Sequence, residues 1–139
     1  MNRSTLSEKL ESLDRCIKRL KSKTPSSIEA LESDIDSQDI IAINLERAIQ
    51  LCVDIASIIL AETECQPPKT MGECFRLLQE AGILSEELAD QLVKAVGFRN
   101  LSVHAYDKID WGIVFSLLRD EIADLRAFGA AVTKFIENR

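Results

Sequence analysis

Along most of the chain, hydrophobic side chains recur three or four positions apart with charged residues between them. Leu6, Leu10, Leu13, Ile17 and Leu20 form the first such stripe and predict a helix over about residues 4–21. Pro25, within "KTPSS", cannot continue it, and residues 27–33 fit a short helical turn. Ser37 stands as the N-cap of a long helix that reaches about residue 64, where "QPPK" stops it. Thr70 and Glu73 are spaced as a capping box and open a helix to about residue 81, ended by Gly82. Ser85 caps the next helix, with Leu88, Leu92, Ala95 and Val96 on its apolar face. Asp110 caps the last, which runs to about residue 137 along a seam of Trp111, Phe115, Leu118, Ile122, Leu125, Gly129, Val132 and Ile136. Alternating steps of four and three belong to helices packed nearly antiparallel. The expected fold is all-α, an up-and-down bundle of about five helices, with residues 1–139 forming one domain.

The long second helix carries two apolar stripes. Ile41, Leu45, Ala48, Cys52, Ile55 and Ile59 make one; Ile49, Val53, Ala56 and Leu60 make the other. A helix apolar over so much of its circumference must bury two faces. One can meet its own bundle. The other predicts a second copy of the chain, a homodimer, with Ile49 and Val53 facing the partner. The plainer alternative is a central helix covered within one chain.

Composition narrows the class. Hydrophobic residues make up 46% but aromatics only 5%, and Gly and Pro are scarce, which favours helices over a sandwich or a βαβ fold. A net charge of -6 argues against a protein that coats DNA generally. The charge is uneven: Arg3, Lys9, Arg15, Lys18, Arg19, Lys21 and Lys23 make the start basic, while residues 25–66 hold Arg47 as their one cation among many acids. A local positive rim on an acidic body leaves RNA open as a substrate. The most apolar run, "AIQLCVDIASIILA", is too short to span a bilayer and contains Asp54, and residues 1–20 lack a signal pattern. A cytoplasmic protein with no membrane contact is expected. Cys16, Cys52, Cys65 and Cys74 include no C-x-x-C pair, and one histidine is too few for the usual zinc patterns, so reduced thiols and neither metal nor cofactor are expected.

The candidate chemistry sits in "GFRNLSVHAY", residues 97–106, which holds the only histidine and the only tyrosine of the chain, His104 and Tyr106. Taken singly, each residue has an ordinary explanation: a solvated histidine, a core-edge tyrosine, an arginine in a surface ion pair. Together they break the pattern. Asn100 and His104 are four apart and share a helix face. Arg99 and Tyr106 are seven apart and lie near one another if the helix persists. Arg99, Asn100, Ser102 and His104 interrupt a packing helix, while Leu101 and Val103 keep its apolar spacing; such violations are expected at functional sites. Arginine plus histidine without metal ligands suits phosphate chemistry on RNA. Histidine can move the proton of the attacking 2′-hydroxyl or of the leaving oxygen, and arginine can hold the phosphate oxygens. The reaction uses an acid and a base, and a two-fold dimer would supply a second His104.

"RNLSVHAY" resembles the R-x4-6-H motif of HEPN-domain ribonucleases, with Arg99, His104 and the preferred Asn100 in place. The extension His104-Ala105-Tyr106, within "VGFRNLSVHAYDKIDWGIV", is similar to the HepT branch, the toxins of HepT–MntA toxin–antitoxin pairs of type VII. The resemblance implies a metal-independent RNA endonuclease toxin acting as a homodimer. Arg99 and His104 would be catalytic at the dimer cleft, and Asn100 would position the phosphate or the histidine. It further implies an MntA-like nucleotidyltransferase antitoxin that neutralises the toxin by AMPylation, transferring AMP from ATP to Tyr106. Phosphates added there would exclude RNA by bulk and charge. The alternative is a non-catalytic helical adaptor that partners a minimal nucleotidyltransferase and binds nucleotide in the same cleft, with Arg99 on phosphate and His104 a spectator. A purely structural dimer module would make the motif an ordinary solvated helix end.

Overall fold

A computed structural model describes residues 2–139, and all the regular structure within them is helical. Helix α1 spans Arg3–Lys23, α2 Ile28–Glu32, α3 Ile35–Leu60, α4 Met71–Glu80, α5 Glu86–His104 and α6 Trp111–Glu137; a 3-10 turn at Tyr106–Lys108 joins the last two. The short α2 is the helical turn expected near residues 27–33.

Helix α3 is the axis on which the others assemble: α1, α2, α4, α5 and α6 all pack against it. This corrects the expectation that one of its stripes awaits a partner chain. Ile49 and Val53 are only 1% and 7% exposed within a single chain, and Ala56 and Leu60 are buried with them. The number of apolar faces was read correctly. Their cover comes from helices distant in sequence, which periodicity does not specify. Phe75 of α4 and Phe128 of α6 close the core edge to face, with ring centroids 6.0 Å apart.

Local chemistry accounts for the helix ends. Asp34, not Ser37, caps α3: its carboxylate accepts from the Ser37 backbone N–H at 3.3 Å and from the Ser37 hydroxyl at 2.8 Å. Helix α3 ends at Leu60, before residue 64, where the Thr63 hydroxyl donates to the Leu60 carbonyl at 2.8 Å. Thr70 accepts from the Glu73 N–H, but the returning Glu73 carboxylate takes the Lys69 N–H, so the capping box closes one residue early. Gly82, at φ 79°, ends α4 as expected. Its N–H donates to the Gln79 carbonyl and that of Ile83 to the Leu78 carbonyl, the paired bonds of a left-handed helix stop. Ser85 and Asp110 cap α5 and α6 as the sequence predicts. Along α6, Leu118, Ile122, Leu125 and Val132 are buried, but Val114 and Phe128 join them while Trp111, Phe115, Gly129 and Ile136 lie at the core margin.

Candidate active site

The polar run lies where the last turns of α5 cross the middle of α3. Arg99 reaches across: one guanidinium nitrogen, Nη2, donates to Gln50 Oε1 on α3 at 3.2 Å, and Nη1 donates to Asn100 Oδ1 at 3.2 Å. Two amide oxygens thus fix the guanidinium and leave further N–H donors for a bound oxyanion. His104 is exposed, one turn beyond Asn100, and is the last residue of α5.

The helix stops at His104 because Ala105 leaves helical geometry, at φ -151° and ψ 55°, while its N–H still donates to the Leu101 carbonyl at 2.8 Å. Tyr106 therefore does not stand two turns above Arg99 on the same helix, as an unbroken helix would have placed it. It opens the 3-10 turn instead, and its hydroxyl donates to the Asp39 carboxylate near the start of α3. Its ring meets Trp111 edge on, with centroids 6.1 Å apart. Partial burial, then the Asp39 carboxylate, raises the Tyr106 phenol from 10.0 to about 12. At neutral pH it is a protonated donor.

Ser102 and Val103 reverse the expected pattern. Ser102 is buried and donates to a Glu46 carboxylate oxygen at 2.7 Å, while Val103 is 45% exposed. A serine on the packed face is tolerated because α3 supplies it an acceptor.

Three hydrogen-bond partners of the candidate residues escaped the sequence reading: Asp39, Glu46 and Gln50. They lie seven and four residues apart on one face of α3 and accept, in turn, from Tyr106, Ser102 and Arg99. The available signal was that spacing of seven and four, which sets three polar side chains on one face of a helix. Nothing local says which helix the polar face meets.

Among the described residues, no three His, Cys, Asp or Glu side chains converge to hold a metal ion. Cys16, Cys52 and Cys74 are buried and free, Cys65 exposed and free, and burial raises the first three thiols. No helix of the described residues is long and apolar enough to cross a membrane.

Residues 13–132 match the model of the family described as ribonuclease HepT-like. The chain belongs to the HepT-like ribonucleases. By class it is an endoribonuclease of the HEPN type. This HepT-like chain is 30% identical to the mRNA nuclease HepT of Shewanella oneidensis, over 86% of its own length and 90% of the relative's. It is 34% identical to the tRNA nuclease HepT of Aphanizomenon flos-aquae, over 77% of its length and 73% of that protein's. Its fold superposes with a TM-score of 0.87 on the tri-AMPylated Shewanella oneidensis HEPN toxin solved in complex with an MNT antitoxin, at 28% identity, covering 96% of this chain and 99% of that one. A toxin–antitoxin structure solved with AMP-PNP matches with a TM-score of 0.88 at 26% identity, covering 95% and 99%.

Proposed function

We propose that this HepT-like ribonuclease is the toxin of a toxin–antitoxin pair, a metal-independent RNA endonuclease of the cytoplasm in which residues 1–139 work as one domain. Arg99 and His104 are its catalytic pair, Asn100 positions the phosphate, and AMPylation of Tyr106 by an MntA-like nucleotidyltransferase antitoxin silences it. The observation that carries this reading is the arrangement of Arg99. Its guanidinium is fixed by Gln50 and by Asn100, one helical turn below an exposed imidazole. Such a geometry holds a phosphodiester where a proton can be moved at the 2′-oxygen or the leaving oxygen. The antitoxin complexes of the two structural neighbours support the partner, and the tri-AMPylated state of one supports the modification.

One imidazole per chain leaves the acid or the base unsupplied, so the active form is a homodimer that brings the motifs together. Its contact face is the α5–α6 groove, about 620 Å³, where Ile113 and Leu117 stand 58% and 49% exposed beside the motif helix. The groove holds Lys94 and Lys108 together with Asp110, Asp120, Glu121 and Asp124. A two-fold pairing can set the cations of one copy against the acids of the other. The two relatives are nucleases of different RNAs, mRNA in one and tRNA in the other.

Purified protein incubated with RNA in EDTA tests the reading. Cleavage leaving 2′,3′-cyclic phosphate ends is expected, and Arg99→Ala and His104→Ala should each lose about 10²–10⁴-fold in rate with the fold retained. Cleavage that a chelator stops and magnesium restores contradicts the mechanism. RNA left intact while the motif still binds nucleotide would favour the adaptor.

A further inference from the structure

Between α1 and α3 lies a second open groove of about 660 Å³. Arg15 and Arg19 line it from α1 and Arg47 from α3. Among the described residues, none of the three forms an ion pair with a carboxylate. Arg15 donates to the Ser12 hydroxyl at 2.9 Å, a neutral partner that leaves its charge uncompensated. The one acid in the lining, Asp54, is engaged by Lys9 at 3.6 Å and by the Gln50 side chain at 2.9 Å. Three unpaired guanidinium groups around one groove repel one another, on a chain whose net charge is -6 and which has acids to spare. An arrangement of this kind is suited to an anion with several charges.

The groove is joined to the catalytic arginine through one side chain. Gln50 lines it, donates to Asp54 within it, and accepts from Arg99. We infer that the α1–α3 groove is a backbone-binding subsite for single-stranded RNA. It holds phosphates flanking the one at Arg99 through Arg15, Arg19 and Arg47. The lining suits a single strand: Ile40, Ile43 and Leu51 give it an apolar floor, with Ile43 44% exposed, against which sugar and base faces can lie. Guanidinium planes can also stack on unpaired bases. With phosphate contacts and no base-edge donors set in rigid register, the groove contributes affinity and direction of the strand, not sequence choice.

The inference rests on the ribonuclease reading. Its test is the full chain carrying Arg15→Ala, Arg19→Ala and Arg47→Ala together, with folding checked by circular dichroism. In the otherwise active protein, KM for a long single-stranded RNA should rise at least roughly tenfold, with kcat much less affected. In a His104→Ala background, which keeps the strand intact, binding of a labelled oligoribonucleotide should weaken. The slope of log affinity against log salt should fall by about 2, near 0.7 for each phosphate contact on a single strand. Unchanged KM and salt slope in a protein that cuts RNA overturn the groove and leave the enzyme standing. Retained RNA affinity with loss of antitoxin binding or of the dimer mass also overturns it, by making the groove a protein interface. A wild-type chain that neither binds nor cuts RNA overturns both readings.

Discussion

Tyr106 takes its character from partial burial and from one distant contact. Its hydroxyl is held by Asp39, 67 positions earlier in the chain, and the phenol is pushed to about 12 by partial burial and by that carboxylate. Because it is the only tyrosine, its phenolate absorbance can be followed alone. The folded protein should titrate near 12, and Asp39→Ala should lower the midpoint towards 10.0. The raised value means the folded state holds this proton more tightly than the unfolded chain does. The associated stability is complete below the unfolded value of 10.0 and is lost as pH rises from there towards 12. A wild-type midpoint at the ordinary phenol value would mean that the Asp39 contact does not form in solution. At this scale the candidate residues themselves were legible. Arg99, Asn100, His104 and Tyr106 stand together within eight positions that include the only histidine and the only tyrosine of the chain. Their partners were not legible, since hydrogen bonds to Asp39, Glu46 and Gln50 depend on which helix face lies opposite.

Among the helices, α3 shows how far periodicity reaches. Its two stripes are both real, and both are covered within one chain. Ile49→Asp should therefore unfold the monomer, where a partner-facing position would only have weakened a dimer. A carboxylate placed at a site 1% exposed, with no partner, costs several kcal/mol, comparable to the whole stability of a domain this size. Thermal unfolding followed by circular dichroism reads this directly, and a folded, monomeric Ile49→Asp protein would place that residue at an interface after all. Helix α5 carries the complementary lesson. Its apolar spacing through Leu101 and Val103 predicted continued packing, yet Val103 points to solvent and Ser102 points inward. The polar face of α3 opposite it, with Glu46 as acceptor, decides that exchange.

For the whole molecule, the proposed homodimer requires a contact face. With both apolar stripes of α3 covered, the exposed apolar surface beside the motif lies in the α5–α6 groove at Ile113 and Leu117. Light scattering should give the mass of two chains. Ile113→Asp combined with Leu117→Asp should yield a folded monomer whose RNA cleavage falls with the lost partner histidine. Both positions are about half exposed in the single chain, so the fold itself should tolerate the change. A variant that remains dimeric and fully active would move the interface elsewhere, the α1–α3 groove being the next candidate.

The sequence by itself determined the helices, several of their ends, and the run of candidate site residues. Those features are local: helical periodicity, side-chain caps at Ser85 and Asp110, the Pro25 break and the Gly82 stop all act within a few residues. Tertiary structure decided what covers each apolar face, that α5 ends at His104 so that Tyr106 turns towards Asp39, and that Gln50 links Arg99 to a groove of unpaired arginines. Those outcomes depend on contacts between residues tens of positions apart. A periodic pattern fixes which side of a helix must be buried or solvated, and leaves open which of several similar helices will do it.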